Sequence, residues 1–177
     1  MNSLRHNLHR MLTSALGALI FPMSLTAFAQ NGNSDGEWPS YGSDSGSTKY
    51  TSLSQIDENN FTDLEVAWRW QSIDGELDFE ALLGPDAEVG FGRLQATPLM
   101  IDGVLYLLTA LNQVVALDAV SGEELWRYDP EVYMSGVSNS PLGFHHRGVA
   151  WWSDSDESRV LMTTNDGFII SLNAQTG

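Results

Sequence analysis

The feature that most limits what this chain can fold into is a repeat. Shifted by 55 positions, Arg159–Gly177 lies on Val104–Gly122 without a gap. Val104-Leu105-Tyr106-Leu107-Leu108-Thr109 meets Arg159-Val160-Leu161-Met162-Thr163-Thr164, and Ala116-Leu117-Asp118-Ala119-Val120-Ser121-Gly122 meets Ser171-Leu172-Asn173-Ala174-Gln175-Thr176-Gly177. A period of this size with several short strands per unit is the signature of a β-propeller or a similar array.

The first copy spells out one blade. A first strand is expected at Leu94–Ile101, ending at the turn pair Asp102-Gly103. A second follows at Val104–Thr109, then a polar break at Leu111-Asn112, a third strand at Gln113–Asp118, a turn at Val120-Ser121-Gly122 and a fourth strand at Glu123–Tyr128. Asp-Gly between apolar runs is a hairpin signal because Gly accepts the positive φ of a primed turn. The expected fold is therefore all-β, a β-propeller with one full blade at about 94–128 and most of a second at about 147–177. Two blades do not close a ring, which takes at least about four, and the fourth strand has no counterpart after Gly177. The expectation is an amino-terminal fragment holding only the first part of the ring.

Residues 1–29 read as a secretory signal peptide, with Arg5 and Arg10 at its positive start, a mostly apolar run from Met11 to Phe28 and a small-x-small site at Ala27-Phe28-Ala29. The apolar run is short and broken by Pro22 for a membrane span. Cleavage after Ala29 would deliver the protein to the periplasm. Removing the leader leaves 6 basic against 23 acidic residues, a balance that disfavours nucleic acid and anionic membrane surfaces as partners. There is no Cys, which excludes disulfides, thiolate metal sites and a Cys-x-x-Cys-His haem attachment within these residues.

Residues 30–36 form a polar linker. The Gly- and Ser-rich stretch Glu37–Lys49 follows, with Trp38 and Tyr41 as aromatic anchors, then a turn or short helical segment at Asp57–Asp63. Leu64–Trp70 alternates apolar and polar residues and looks like a strand of the kind that completes the last blade and closes the ring, a blade it would lack within these residues. Ser72–Gly92 carries Asp74, Glu76, Asp78, Glu80, Asp86 and Glu88 and reads as an acidic surface loop, since no calcium-loop spacing is present. The same holds for Asp154, Asp156 and Glu157 in the loop Ser153–Ser158. Tyr128–Phe144 is a long connection of the kind that often carries function.

Four groups of residues are candidates for a role. Ala116, Asp118, Ser121, Gly122 and Trp126 make up a docking motif with a structural logic: Asp and Ser shape the turn, Gly takes positive φ, and Trp lies flat against the next blade. Arg147, before Gly148 at the start of a strand, is suited to planar oxygen ligands such as carboxylates or quinone oxygens. Gln95 opens the first strand at a place analogous to Arg147. His145-His146 would point to opposite sides of an extended chain, which disfavours a shared metal ion.

Together these pieces resemble the quinoprotein dehydrogenases that use pyrroloquinoline quinone (PQQ). Trp38-Pro39-x-Tyr41-Gly42-x-Asp44, Lys49-Tyr50-x-x-Leu53-x-Gln55-Ile56 and Leu64-x-Val66-Ala67-Trp68 are similar to the family's opening segment. Gln95-Ala96-Thr97-Pro98-Leu99 with Gly103-x-Leu105-Tyr106 resembles its first blade, and Arg147-Gly148-Val149-Ala150-Trp151-Trp152 the start of its next. Gln95 before x-Thr-Pro is nearest the membrane glucose and polyol dehydrogenase branch. The resemblance implies an eight-bladed propeller with the quinone in its channel beside a calcium ion that acts as Lewis acid. It implies a small alcohol or sugar as substrate and a cytochrome or quinone as electron acceptor. Of the implied cofactor contacts, Arg147 and Gln95 fall in this chain; the general-base Asp and the calcium ligands are expected downstream of Gly177, so that no catalytic or metal-binding residue is expected here. The membrane helices of the membrane glucose dehydrogenases are missing, which puts direct ubiquinone reduction in doubt. The alternative class is a non-catalytic propeller of the same repeat type, such as an outer-membrane assembly scaffold, which shares the docking motif but needs neither Gln95 nor Arg147.

Overall fold

The computed structural model describes residue 33 and residues 36–85, 94–135 and 144–177. The expected leader, most of the linker, residues 86–93 of the acidic stretch and residues 136–143 of the long connection lie outside the described residues.

The repeat is two antiparallel sheets. The first contains β1 (Leu99–Ile101), β2 (Val104–Leu108), β3 (Val114–Asp118) and β4 (Glu124–Tyr128), hydrogen-bonded in chain order. The second contains β5 (Ala150–Ser153), β6 (Ser158–Thr163) and β7 (Ile169–Asn173), again in chain order. Outside the sheets lie a five-residue helix, α1 (Phe79–Leu83), and 3-10 turns at Phe61–Asp63, Ile73–Glu76 and Val132–Ser135.

The turns explain why these strands stop where they do. Asp102 and Gly103 both have positive φ, +50° and +77°, as the tight β1–β2 hairpin requires. At the next turn the Asp118 carboxylate accepts from the Ser121 N–H at 2.7 Å and its hydroxyl at 2.8 Å, which holds the Asp118 pKa below its ordinary value. Asn173 does the same work in the second blade, accepting from the Thr176 N–H at 3.1 Å and its hydroxyl at 3.2 Å. At the other end Thr109 and Thr164 each accept, through Oγ1, from the backbone N–H four residues on, both at 3.1 Å. The repeat therefore holds atom by atom.

Side chains alternate across each sheet with period two. Tyr106, Leu108, Val114 and Ala116 face the second sheet and pack with Val160, Met162, Leu172 and Ala174. Leu107, Val115 and Leu117 face the opposite way and are covered by Trp68 and Trp70. Each Val or Leu so buried is worth roughly 1.5–3 kcal/mol.

The docking motif clasps successive layers. Trp126 Nε1 donates to the Ala174 carbonyl at 2.9 Å, and the indole lies so close to Gly177 that a Cβ there would sit 2.8 Å from the ring. Tyr106 donates to the same carbonyl at 3.2 Å and is flanked by the rings of Trp126 and Trp151. Trp68 repeats the arrangement one layer earlier: its Nε1 donates to the Ala119 carbonyl at 3.1 Å, and a Cβ on Gly122 would come within 2.5 Å of the indole. Gly122 and Gly177, both at positive φ, thus serve two needs, the turn and the close approach of a ring.

Several expected boundaries differ. The first strand is Leu99–Ile101 rather than Leu94–Ile101, because Pro98 has no N–H for a ladder and Thr97 instead donates to the Arg147 carbonyl. The inner edge of β1 is met by Trp38, which exchanges two backbone hydrogen bonds with Met100. No strand forms at Leu64–Trp70: a strand needs a ladder partner, and no described element lies beside this stretch to supply one. Its Trp68 and Trp70 nonetheless pack on the first sheet.

Candidate functional site

The strand directions bring the candidate residues to one end of the two sheets. The segments leading into β1 and β5, the β2–β3 hairpin at 109–113, the stretch after β4 and the β6–β7 hairpin at 164–168 all lie at this end. The Asp102-Gly103 and Ser121-Gly122 turns lie at the other.

Arg147 is placed by backbone. Its carbonyl accepts from the Thr97 N–H at 2.9 Å, tying the second blade's lead-in to the first. Gly148 has φ +138°, and a Cβ there would approach the Thr97 carbonyl oxygen to 2.9 Å, so only glycine lets the two lead-ins come this close. The Arg147 side chain is exposed. Gln95 is also exposed, two residues before Thr97. Strand register refines the expected analogy. Leu99 pairs with Tyr106 and Ala150 with Leu161, which matches Gln95 to His146 and Arg147 to Ala96.

A cleft of about 140 Å³ opens beside Arg147, lined by Tyr41, Thr97, Leu99, Gly148 and Val149. Lys49 Nζ stands 4.7 Å from the centre of the Tyr41 ring and donates to its hydroxyl at 3.3 Å. Among the described residues the ion pairs are Arg127–Glu124 and Arg159–Glu157. Lys49 and Arg147 therefore carry no carboxylate partner among the described residues, in a chain rich in carboxylates.

Behind the lead-in end stands a support that sequence reasoning missed. Asp74, expected in a solvated acidic loop, is 6 % exposed. Its carboxylate accepts from the Thr109 hydroxyl at 2.9 Å, the Leu111 N–H at 3.1 Å and the Gln113 amide at 3.3 Å. Above it Phe79, Leu111, Val132, Tyr133 and Phe144 form a second apolar cluster. Asn112 donates to the Phe144 carbonyl at 2.7 Å, which fixes the chain three residues before Arg147. Tyr133 donates to the Asp129 carboxylate at 2.8 Å; burial first, and this bond second, push its phenol pKa up. The one hint in sequence was Thr109, repeated as Thr164, since Asp74 lies far from everything it binds.

The other candidates resolve locally. Among the described residues no group of three or more His, Asp or Glu is placed to hold a metal. Asp154 accepts from the N–H groups of Asp156 and Glu157 at 2.8 and 2.9 Å, which lowers its pKa and makes it a turn former. His146 Nε2 is 2.9 Å from Asn165 Oδ1, and both neighbouring histidines are half-buried.

A family model described as the glucose/ethanol/alcohol dehydrogenase β-propeller domain of PQQ proteins matches residues 38–177. The chain is 36 % identical over 166 residues to the quinohemoprotein alcohol dehydrogenase ADH IIB of Pseudomonas putida, covering 94 % of this chain and 21 % of that protein. It is 29 % identical over 182 residues to quinoprotein glucose dehydrogenase A of Acinetobacter calcoaceticus, covering 91 % and 21 %. The solved structure of the Comamonas testosteroni quinohemoprotein alcohol dehydrogenase superposes with a TM-score of 0.62 at 30 % identity, covering 80 % of this chain and 18 % of that one. The chain thus spans about a fifth of the length of the curated relatives it matches. With one full blade, three strands of the next, the Trp68 and Trp126 clasps and the Arg-Gly lead-in in place, the chain belongs to the PQQ-dependent glucose/ethanol/alcohol dehydrogenase β-propeller family.

Proposed function

We propose that these residues form the first part of the ring of an exported, periplasmic dehydrogenase that oxidises an alcohol, polyol or sugar with PQQ and calcium and passes electrons to a cytochrome or quinone acceptor. The observation that carries this reading is Arg147: a cation without a carboxylate partner among the described residues, held at the lead-in end by the Thr97–Arg147 bond, in a chain the family model matches from residue 38 onward.

PQQ is a flat quinone bearing three carboxylates. Its demands are cationic donors, amide donors and flat apolar walls, and the residues present fit them. Arg147 would hold a carboxylate or quinone oxygens through its planar fork. Gln95 would donate from the rim through its amide. Gly148 lets the two lead-ins approach at Thr97, which favours both side chains serving one ligand, and the Asp74 network fixes the segment that delivers Arg147. When bound, the quinone supplies the two-electron acceptor for the substrate's hydride. The general-base Asp and the calcium ligands are assigned to other blades. The scaffold alternative draws no support from the relatives matched here, which carry dehydrogenase names.

The test is to produce the protein that carries these residues with its remaining blades, load it with PQQ and Ca²⁺, and follow reduction of an artificial electron acceptor by primary alcohols, polyols and aldoses. Substrate-dependent reduction that vanishes without PQQ is expected. No reduction across the panel, with PQQ and Ca²⁺ present, would overturn the reading.

A further inference from the structure

We infer that Lys49, carried on the Tyr41 ring that walls the cleft beside Arg147, is a second cationic anchor for the anionic cofactor. The inference rests on the functional reading above and extends it to the amino-terminal loop.

Placement is the first argument. The cleft beside Arg147 has Tyr41 as a wall, and Lys49 sits over that ring, hydrogen-bonded to its hydroxyl. Arg147 thus lines the cleft directly and Lys49 stands on Tyr41, one of its walls, and neither has a carboxylate within salt-bridge distance among the described residues. In a chain of formal charge −15, leaving two cations unpaired at one place favours an anion there. Of the remaining lining residues, Thr97, Leu99, Gly148 and Val149, the two aliphatic ones suit the flat carbon face of an aromatic polycarboxylate.

Construction of the loop is the second. Lys49 has φ +53°, in the left-handed region that a long side chain rarely adopts. The loop is tied so that it stays there. Lys49 N–H donates to the Gly42 carbonyl at 3.0 Å. The Asp44 carboxylate accepts from the Thr48 N–H at 3.0 Å and its hydroxyl at 2.6 Å. A Cβ on Gly42 would collide with Ser47.

The experiment is an equilibrium titration of the metal-loaded, PQQ-free protein with PQQ, followed by quenching of tryptophan fluorescence, with a thermal melt of each unloaded variant alongside. Lys49→Met is expected to weaken binding about tenfold, the worth of one partly exposed charge-assisted contact, and to flatten the dependence of Kd on salt. Lys49→Arg is expected to restore most of the loss. The inference is overturned if Lys49→Met binds as tightly as the wild type, or if both variants lose affinity together with melting temperature, as a purely structural role would give. Failure of the wild type itself to bind PQQ would overturn the functional reading and this inference together.

Discussion

The two sheets share a pattern of residues and differ in what covers them. β3 reads Val114-Val115-Ala116-Leu117 and is buried throughout, whereas β7 reads Ile169-Ile170-Ser171-Leu172 and buries Leu172 alone. Val114 is 0 % exposed and Ile169, its equivalent in the repeat, is 80 % exposed. Hydrophobicity does not account for this, since isoleucine is the more apolar residue. Neighbours do: the first sheet lies between Trp68 and Trp70 on one face and the second sheet on the other, while among the described residues nothing covers the far face of β7, where Trp152, Leu161 and Ile169 lie. In a propeller a strand's burial belongs to the stack of blades and not to its own sequence.

Asp74→Ala should cost most, about 3–4 kcal/mol in denaturant unfolding, because it strips partners from three buried donors at about 1–3 kcal/mol for each one left unsatisfied. A loss under about 1 kcal/mol would mean the support behind the lead-in end is dispensable. Trp126→Ala should cost about 3 kcal/mol, removing both the ring on Gly177 and the bond to Ala174. Trp68→Ala should cost a similar amount if the two clasps are equivalent, and a much smaller loss would break the equivalence.

The sharpest contrast is Val114→Ala against Ile169→Ala. In the chain described here the first should cost about 2 kcal/mol and the second less than about 0.5 kcal/mol. In a closed ring the two costs should converge, and persistence of the gap there would contradict the neighbour argument. The smallest effect concerns pH. Asp118 has its carboxylate pKa lowered by the Ser121 N–H and hydroxyl, so its contribution to stability is present above the ordinary carboxylate range, near 4, and is lost as pH falls through the lowered folded-state value. Asp118→Asn should keep the turn, as Asn173 does, and remove that part of the acid sensitivity; an unchanged acid-unfolding profile would count against it.

How much of this was legible in sequence follows from the range of the interactions involved. The Asp102-Gly103 hairpin, the Asp118–Gly122 turn and the period-two alternation are local, and each was readable from a few adjacent residues. The clasp was half readable: Trp126 and Gly122 stood out, but the ring on Gly122 belongs to Trp68 and the one on Gly177 to Trp126, a crossing between layers that only the stack reveals. Asp74 was misread because its partners lie 35 to 39 residues away and nothing near it in sequence distinguishes it from the solvated carboxylates around it. The Leu64–Trp70 strand was expected from alternation, yet alternation specifies a face and cannot supply a ladder partner. At the candidate site Arg147 was singled out by residue type and Gln95 by the family resemblance, while their register, one position out of step, required the pairings of Leu99 and Ala150.

The affinity of the ring-complete protein for PQQ, measured with and without the Arg147 side chain, decides the role of the lead-in end. The account predicts saturable binding of one quinone per chain in the wild type. It also predicts a loss of about 30-fold or more in Arg147→Ala, the worth of a bidentate charge-assisted contact of about 2–3 kcal/mol. Equal affinity in the two proteins would contradict the assignment of Arg147, and no saturable binding in either would contradict the account as a whole.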